Sequence, residues 1–275
     1  MREMDGISTV PIEAWTDEVE ANLWEAWTNF GLGPGCTLHD EGDALWFETP
    51  IPLIPYNGVL KFQVEKNVDQ RIDTVIRHFR ARGVPFLWVV HPTGSPPSLA
   101  EQLQERGVQE IELMPGMARS LAELPDASPL PEGVEVREAI EESDVREIYE
   151  FAAWRWGVPE AEIPQLGSLL RSFRIGQPDS KLRMWLAWRD GVPVSKLGLY
   201  HAAGSAGIYG VVTKVEARGL GLASVLMVEA LKAAKAKGQE LAVLHSSPLA
   251  ENLYKRLGFV TVTHLRLFAS EPTYI

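Results

Sequence analysis

The sequence has little cysteine, few basic residues and no long apolar run. Cys36 is the only cysteine among 275 residues, so the chain can form neither an internal disulfide nor a metal cluster built on cysteines. We assign no metal ligands. No apolar run reaches the roughly 18 residues that cross a membrane, and the first residues carry no basic stretch followed by an apolar one. We therefore expect a cytoplasmic protein without a membrane partner.

Acidic residues outnumber basic ones. Asp and Glu total 37 against 26 for Lys and Arg, which gives a formal net charge of −11. A duplex nucleic-acid partner normally selects a basic face, so this balance argues against one. Apolar residues are 45% and charged residues 23% of the chain, both near the globular average. The length allows two ordinary domains.

A glycine-containing turn stands between a strand predicted for residues 208–213 and a long helix predicted for residues 222–237. Gly219 and Gly221 have no Cβ, so the main chain there can approach a ligand closely. The first N–H groups of a helix have no partner within the helix and point into such a turn. The helix dipole and Arg218 add positive potential, and the pattern therefore predicts an anion site, such as one for phosphate groups.

The spacing of the turn separates three classes of phosphate ligand. A P-loop requires Gly-Lys followed by Ser or Thr, and no lysine stands between Arg218 and Ser224. A dinucleotide site would have a third glycine where this chain has Ser224, and an acidic residue about 20 positions further on that closes the next strand. Glu240 instead precedes the strand predicted for residues 241–244. We therefore reject a nicotinamide site, and the missing lysine argues against a triphosphate site.

The pattern that remains is R-x-x-G-x-A, and it resembles the coenzyme A pyrophosphate loop of the GNAT acetyltransferase superfamily. Arg218, Gly221 and Ala223 occupy its fixed positions. Residues 249–259 are similar to a second signature of the family, A-x-x-L-Y-x-x-x-G-F. The matching residues are Ala250, Leu253, Tyr254, Gly258 and Phe259. Because the two motifs occur in the right order and at the right separation, residues 134–275 resemble a GNAT acetyltransferase domain.

The resemblance implies acetyl-coenzyme A as co-substrate and assigns residues to it. The backbone of residues 209–213 would hydrogen-bond the pantetheine arm, with exposed donors near Val212 and Thr213. Ser247 stands where the family often has an asparagine that contacts the coenzyme, with capping of the following helix as the alternative role. The pyrophosphate would bind the turn and the start of the helix, at Arg218, Gly219, Leu220, Gly221, Leu222, Ala223 and Ser224.

Transfer of an acetyl group from a thioester to an amine requires a route for the amine proton and an acid for the departing thiolate. Tyr254 matches a family tyrosine that lies close to the coenzyme sulfur, so the resemblance makes it the candidate acid. The alternative is that Tyr254 only packs on pantetheine. Three side chains, His201, His245 and Glu216, are candidates for the base, and a water relay is the fourth possibility.

The two halves of the chain show the same order of elements on either side of a proline-rich linker, residues 125–133. In the first half, strands are predicted for residues 58–64, 85–90 and 108–113, and helices for residues 69–82 and 99–106. Residues 99–104 match residues 249–254. We predict a tandem GNAT protein of α/β (α+β) class, with domains 1–124 and 134–275, each a mixed, mostly antiparallel central sheet flanked by helices.

The first half differs where the chemistry would lie. It has residues 67–72 in place of the glycine turn, Asp69 would repel a pyrophosphate, and Gln104 matches Tyr254. We predict a degenerate copy that binds no coenzyme and serves as scaffold or as a wall of the acceptor pocket. Aromatic helices open both halves, at residues 15–30 and at residues 144–156, the latter capped by Ser143. We expect the aromatic residues of the second of these helices either to line the acceptor pocket or to form a stripe that faces the core. They are Tyr149, Trp154 and Trp156.

The leading function is acetyl-coenzyme-A-dependent N-acetyltransfer to a primary amine of a small molecule or peptide. The alternatives are acyl transfer with a different donor or acceptor, and a coenzyme-binding or partner-binding module without turnover. Retention of Arg218, Gly221, Ala223 and Tyr254 argues against such a module. We also expect the halves to share a sheet or the acceptor pocket. The acceptor, the acyl chain length and the oligomeric state are left open.

Overall fold

The computed structural model describes residues 12–126 and 129–271. The helices are α1 (Ile12–Thr28), α2 (Val68–Arg82), α3 (Leu99–Glu105), α4 (Glu142–Trp156), α5 (Ile163–Arg171), α6 (Leu222–Ala236) and α7 (Glu251–Arg256). The strands are β1 (Thr37–Asp40), β2 (Ala44–Glu48), β3 (Gly58–Phe62), β4 (Leu87–Val90), β5 (Gln109–Ser120), β6 (Val134–Glu138), β7 (Leu182–Arg189), β8 (Val192–His201), β9 (Ala206–Thr213), β10 (Leu241–His245) and β11 (Val260–Ala269). No helix in these residues is long and apolar enough to cross a bilayer.

The strands form one sheet in the order β1-β2-β3-β4-β11-β5-β10-β9-β8-β7-β6. The last strand of the second half, β11, lies between β4 and β5 of the first half. The last strand of the first half, β5, in turn lies between β11 and β10. The two halves therefore exchange their final strands, and the expected shared sheet is present. The mixed, mostly antiparallel sheet flanked by helices confirms the predicted fold class.

The exchange carries side chains from each half into the core of the other. Met117 of β5 is fully buried in the cluster that packs under α6. Phe268 of β11 is fully buried in the cluster that packs under α2. Each large apolar side chain buried in this way contributes about 1.5–3 kcal/mol. Neither core is therefore complete without the other half.

The amphipathic pattern of α2 explains its position. Ile72, Val75, Ile76 and Phe79 recur at helical spacing, and all four are buried against the sheet. On the strands, neighbouring residues face opposite sides, so Val243 of β10 packs towards α1. Residues Ala242 and Leu244 of the same strand pack towards α6.

Helix α1 ties the first half to the second. It contacts β3 of its own half and also β9 and β10 of the other. The Asn22 side chain donates to the Ser205 carbonyl at 3.0 Å and accepts from the Tyr209 hydroxyl at 2.7 Å. This close approach requires glycine at position 207, because a Cβ there would collide with Asn22 Oδ1.

The structure contradicts the helix cap predicted at Ser143 and the capping role considered as an alternative for Ser247. Helix α4 begins at Glu142 with Glu141 as its N-cap residue, and no side chain caps it, so Ser143 lies inside the first turn. Helix α7 begins at Glu251 with Ala250 as its N-cap residue, so Ser247 precedes the helix and does not cap it. In both places the chain turns through backbone hydrogen bonds, from Val145 N to the Glu141 carbonyl and from Ala250 N to the Ser247 carbonyl.

The strand exchange predicts that residues 134–275 do not fold alone. Without β5, the edges of β10 and β11 that it joins lose their hydrogen-bond partners, and apolar side chains such as Leu244 lose cover. We expect this fragment to aggregate or form large oligomers in size-exclusion chromatography with light scattering. As a control, the whole chain cut at a protease site placed in the linker should remain one associated particle. A monomeric fragment with cooperative unfolding would contradict the prediction.

Candidate functional site

Strands β9 and β10 separate partway along their length. They pair in parallel only from Ala206↔Ala242 to Ile208↔Leu244, whereas β9 continues to Thr213. On its other edge β9 pairs with β8, and the register shifts by one residue between Lys196 and Gly198. The shift is a bulge at Gly210, which has a φ of 57°. The second part of β9 therefore borders an opening in the sheet.

The backbone of β9 alternates between β8 and this opening. Lys214 N donates to the Val194 carbonyl of β8 at 2.9 Å, and Val212 pairs with Lys196 in the same ladder. Because backbone groups alternate along a strand, those of Val212 face β8, while those of Thr213 and Val211 turn towards the opening. Of the two predicted donors, the structure directs Thr213 to the opening and Val212 away from it. Val211 lies within the predicted range 209–213, although it was not named as a donor.

The glycine turn lies at the end of β9 and opens α6. Gly219 and Gly221 have φ values of 80° and 75°, in the left-handed region that favours glycine. A Cβ at either position would meet nothing within 4 Å, so backbone conformation and not crowding requires glycine in the structure. Arg218 Nε donates to the Thr213 carbonyl at 3.3 Å and joins the turn to the strand.

The start of α6 has free N–H groups of the kind that the predicted anion site requires. The helix has 15 residues, and its first intrahelical bond runs from Val225 N to the Gly221 carbonyl at 3.1 Å. The N–H groups of Leu222, Ala223 and Ser224 therefore have no acceptor in the helix. These N–H groups and the helix dipole suit a phosphate group at this end of the opening. Leu220 lies beside them and is partly exposed.

Tyr254 lies on α7 in the core cluster that packs under α6 and is 6% exposed. Its ring packs edge-on to Phe259 with the centroids 6.1 Å apart. Burial raises the pKa of the phenol to about 12, so the hydroxyl keeps its proton at neutral pH. None of the described residues forms a hydrogen bond with this hydroxyl. Ser247, by contrast, is exposed in the turn after β10.

The structure places the three candidate bases in different surroundings. His201 Nδ1 is held by Gln239 Oε1 at 2.6 Å, beside the turn that joins β8 to β9 and away from the opening. Glu216 is exposed in a short 3-10 turn. His245 ends β10, where β9 has already separated, and stacks on Tyr209 with the centroids 6.3 Å apart. Only His245 of the three therefore borders the opening.

His245 belongs to a buried polar cluster with His91 and Glu20. Burial lowers the pKa of His245 to about 4. Burial, with the nearby His245 adding to it, lowers the pKa of His91 to about 3. Burial also raises the pKa of Glu20, although Thr93 donates a hydrogen bond to it. Within the described residues, His91 Nδ1 and Glu20 Oε1 have no hydrogen-bond partner, so the cluster favours neutral groups.

A cavity of about 180 Å³ lies beside the bulge, between the two halves. The second half contributes residues from α4, α5 and β7 to β9, including Trp156, Tyr209 and Gly210. The first half contributes Ala26, Trp27, Phe30, Pro55 and Tyr56. Of the predicted aromatic residues of α4, Trp156 lines the cavity, Tyr149 packs in a core cluster and Trp154 is half exposed.

Lys196 is the cavity residue that the sequence reasoning missed. It lies on β8, is 8% exposed, and its Nζ donates to the Gly210 carbonyl at 3.2 Å. Burial lowers its pKa to about 8, and the nearby charge of Arg155 contributes to the shift. The available signal was a lone lysine within the otherwise uncharged run of residues 192–200.

One cluster outside this site has the side chains of a metal site. His39 and His78 each lie 2.9 Å from a separate oxygen of Glu48. Arg82 lies 2.8 Å from the same carboxylate and neutralises it. The guanidinium opposes a bound cation at this position, and we assign the cluster to an ion-pair network on the first half.

Comparison with known proteins agrees with this geometry. The family model of the acetyltransferase (GNAT) domain matches residues 170–269. A search of curated proteins by sequence finds no match. Among solved structures, the chain is similar to a GCN5-related N-acetyltransferase from Kribbella flavida, with 18% identity, a TM-score of 0.66, and coverage of 91% of this chain and 94% of that one.

Two further structures have similar folds. A GCN5-related N-acetyltransferase from Sphaerobacter thermophilus has 19% identity and a TM-score of 0.61, with 84% of this chain and 82% of that one covered. A tandem GNAT protein from the clavulanic acid biosynthesis pathway has 13% identity and a TM-score of 0.60, with 97% and 98% covered. The chain thus has the fold of GNAT proteins, and its second half matches the GNAT acetyltransferase domain.

The buried histidines predict a loss of stability in acid. His91 and His245 are neutral in the folded protein, whereas in the unfolded chain they gain protons below about pH 6.5. Stability should therefore fall by several kcal/mol as the pH drops from 6.5 to 4, at about 1.4 kcal/mol per unit of pKa shift. Glu20, whose pKa is raised, acts in the opposite direction, because its contribution is greatest below pH 4.5.

Urea unfolding followed by tryptophan fluorescence between pH 4 and pH 8 measures this dependence. The His245→Met variant should have a shallower slope, because it removes one group that must stay neutral in the fold. The control is His264→Gln, at an exposed histidine of β11, which should keep the wild-type slope. Equal slopes in His245→Met and the wild type would show that His245 is not a source of acid sensitivity.

Proposed function

We propose that the protein is an acetyl-coenzyme-A-dependent N-acetyltransferase that acts on a primary amine. The observation that carries this proposal is the opening between β9 and β10, which leads directly to the glycine turn and the start of α6. Backbone donors at Val211 and Thr213 suit an extended amide-containing arm, and residues 219–224 suit a pyrophosphate. Acetyl-coenzyme A would supply an activated thioester there.

The residues of the chain provide the proton transfers in this proposal. Tyr254 holds its proton at neutral pH and donates it to the departing thiolate. His245 is neutral and borders the opening, so it is the candidate base that this geometry favours, with a water relay as the alternative. The cavity beside the bulge is the acceptor pocket. Ser247 and Leu220 have exposed side chains at the rim, where they would contact the coenzyme.

We propose that the first half binds no coenzyme. Its strands β3 and β4 also pair in parallel over only two residues, from Gly58↔Leu87 to Val59↔Trp88. The chain after β4 then closes the gap, because Ser95 N donates to the Phe62 carbonyl at 3.0 Å and Ser95 bridges to Gln63. The edge that would receive a pantetheine arm is thus already occupied.

Two alternatives keep the fold. Acyl transfer with a longer donor or a different acceptor is limited by the size of the cavity. A coenzyme-binding module without turnover would not require a buried tyrosine that keeps its proton at neutral pH.

Calorimetric titration with acetyl-coenzyme A should show one equivalent bound, and Gly221→Arg should abolish binding. An arginine at this φ is strained by about 1–2 kcal/mol, and its side chain would obstruct the anion site. Gly238→Arg is the matched control, because Gly238 has a φ of 81°, equally open surroundings and a place at the other end of α6. Two equivalents would contradict the proposed loss of the first site, and undiminished affinity in Gly221→Arg would place the pyrophosphate elsewhere.

The Tyr254→Phe variant should lower kcat about 100-fold and leave the affinity for acetyl-coenzyme A unchanged, because the phenol acts only on the departing thiolate. Release of free thiol in the presence of an amine measures kcat, and calorimetry measures the affinity. Tyr149→Phe, at a partly buried tyrosine outside the cavity, should behave as the wild type. A Tyr254→Phe enzyme with full kcat would remove Tyr254 as the acid.

A further inference from the structure

The cavity between the halves is aromatic, and it contains one buried charge. Lys196 Nζ contacts the Gly210 carbonyl, and within the described residues no carboxylate forms an ion pair with it. We infer that Lys196 binds a carboxylate of the acceptor, and that the acceptor is an α-amino acid with a ring-sized apolar side chain, acetylated on its α-amino group. The inference rests on the proposed function and names its substrate class.

A buried cation without a counter-ion is costly, so its presence calls for a reason. Packing of the fold does not explain the lysine, because a methionine would fill the same space on β8. Burial and the charge of Arg155 both lower the pKa of Lys196, to about 8, and a carboxylate beside Nζ would counter both effects. An anionic ligand is therefore the partner that this position lacks.

The other polar groups around the cavity are already paired. Glu25 lies 2.8 Å from Lys181 Nζ and 3.4 Å from the Tyr200 hydroxyl. The Tyr209 hydroxyl donates to Asn22. The guanidinium carbon of Arg155 lies 4.6 Å from the centre of the ring of Trp156, which lines the cavity, and this side chain adds a second positive charge. The charge left unpaired near the bulge is thus positive, which favours an anion over a cation.

The size of the cavity limits the rest of the acceptor. A cavity of about 150 Å³ holds a benzene molecule, so the volume of about 180 Å³ here suits one ring or a branched aliphatic group. Trp27, Phe30, Tyr56 and Phe173 provide apolar walls for it.

An α-amino acid places its amine and its carboxylate on the same carbon. With the carboxylate on Lys196, the amine lies at the bulge end of the cavity and the side chain occupies the aromatic part. The lysine charge also disfavours the ammonium form of the amine, and only the neutral amine can attack. In the transfer, the N–C bond forms and the C–S bond breaks. One amine proton passes to the base, and the thiolate receives a proton from Tyr254.

Binding and turnover are measured separately in the test. Calorimetry compares N-acetyl-L-phenylalanine with N-acetylphenethylamine, which lacks only the carboxylate, and thiol release compares L-phenylalanine with phenethylamine. We expect the carboxylate to strengthen binding and to raise kcat/KM by about 10–100-fold. In Lys196→Met, the ratio of the two binding affinities and the ratio of the two kcat/KM values should both fall close to 1. Most of the change in kcat/KM should come from KM. Lys196→Arg, which keeps the charge, should restore part of the preference.

Lys232→Met is the matched control, because Lys232 is exposed on α6 and pairs with Glu229. It should keep the wild-type ratios, and thermal melting of Lys196→Met should show a folded protein. Equal affinity for the two acetylated probes, failure of both to bind, or an unchanged ratio in Lys196→Met would overturn the inference. Equal losses of kcat with both amines would also overturn it, because Lys196 would then act on the amine. A carboxylate preference in binding without thiol release from any amine would instead refute the proposed transfer and leave the anion site established.

Discussion

The exchange of β5 and β11 is the constraint on which the rest of the structure depends. Strand β11 pairs with β4 on one side and with β5 on the other, and β5 pairs with β10 beyond it. Breaking any one backbone hydrogen bond in these ladders leaves a buried N–H or C=O group without a partner, and each such group carries a large desolvation cost. The two halves are therefore fixed in one orientation, and α1 can lie across both of them.

The opening in the sheet is a consequence of this arrangement. Strand β10 leaves β9 after Leu244, yet it stays paired with β5 along its whole length, from Leu241↔Ser120 to His245↔Gly116. Ser246 N continues the contact by donating to the Pro115 carbonyl at 2.9 Å. The first half thus supports one wall of the proposed coenzyme site although it contributes none of the proposed coenzyme ligands. It also supplies a wall of the acceptor cavity through α1.

The sequence predicted the parts of the fold that depend on local pattern. The helical spacing of Ile72, Val75, Ile76 and Phe79, and the glycine at position 221, define α2 and the start of α6 without any knowledge of distant contacts. The exchange of strands could not be predicted in this way. The patterns of β5 and β11 suit pairing with strands of either half, and long-range packing around Met117 and Phe268 decides which strands they pair with. Lys196 was missed for a similar reason. It stands out because no carboxylate of the described residues pairs with it, and this is visible only in the assembled cavity.

The position of β11 also has a consequence for how the protein is made. During synthesis, β4 and β5 leave the ribosome well before residues 260–269, and these residues are the strand that must lie between them. Until β10 and β11 have been made, β4 has one unpaired edge and β5 has neither of its two neighbouring strands. The sheet therefore cannot be completed before the second half is synthesised, and these strand edges are open to unwanted pairing until then.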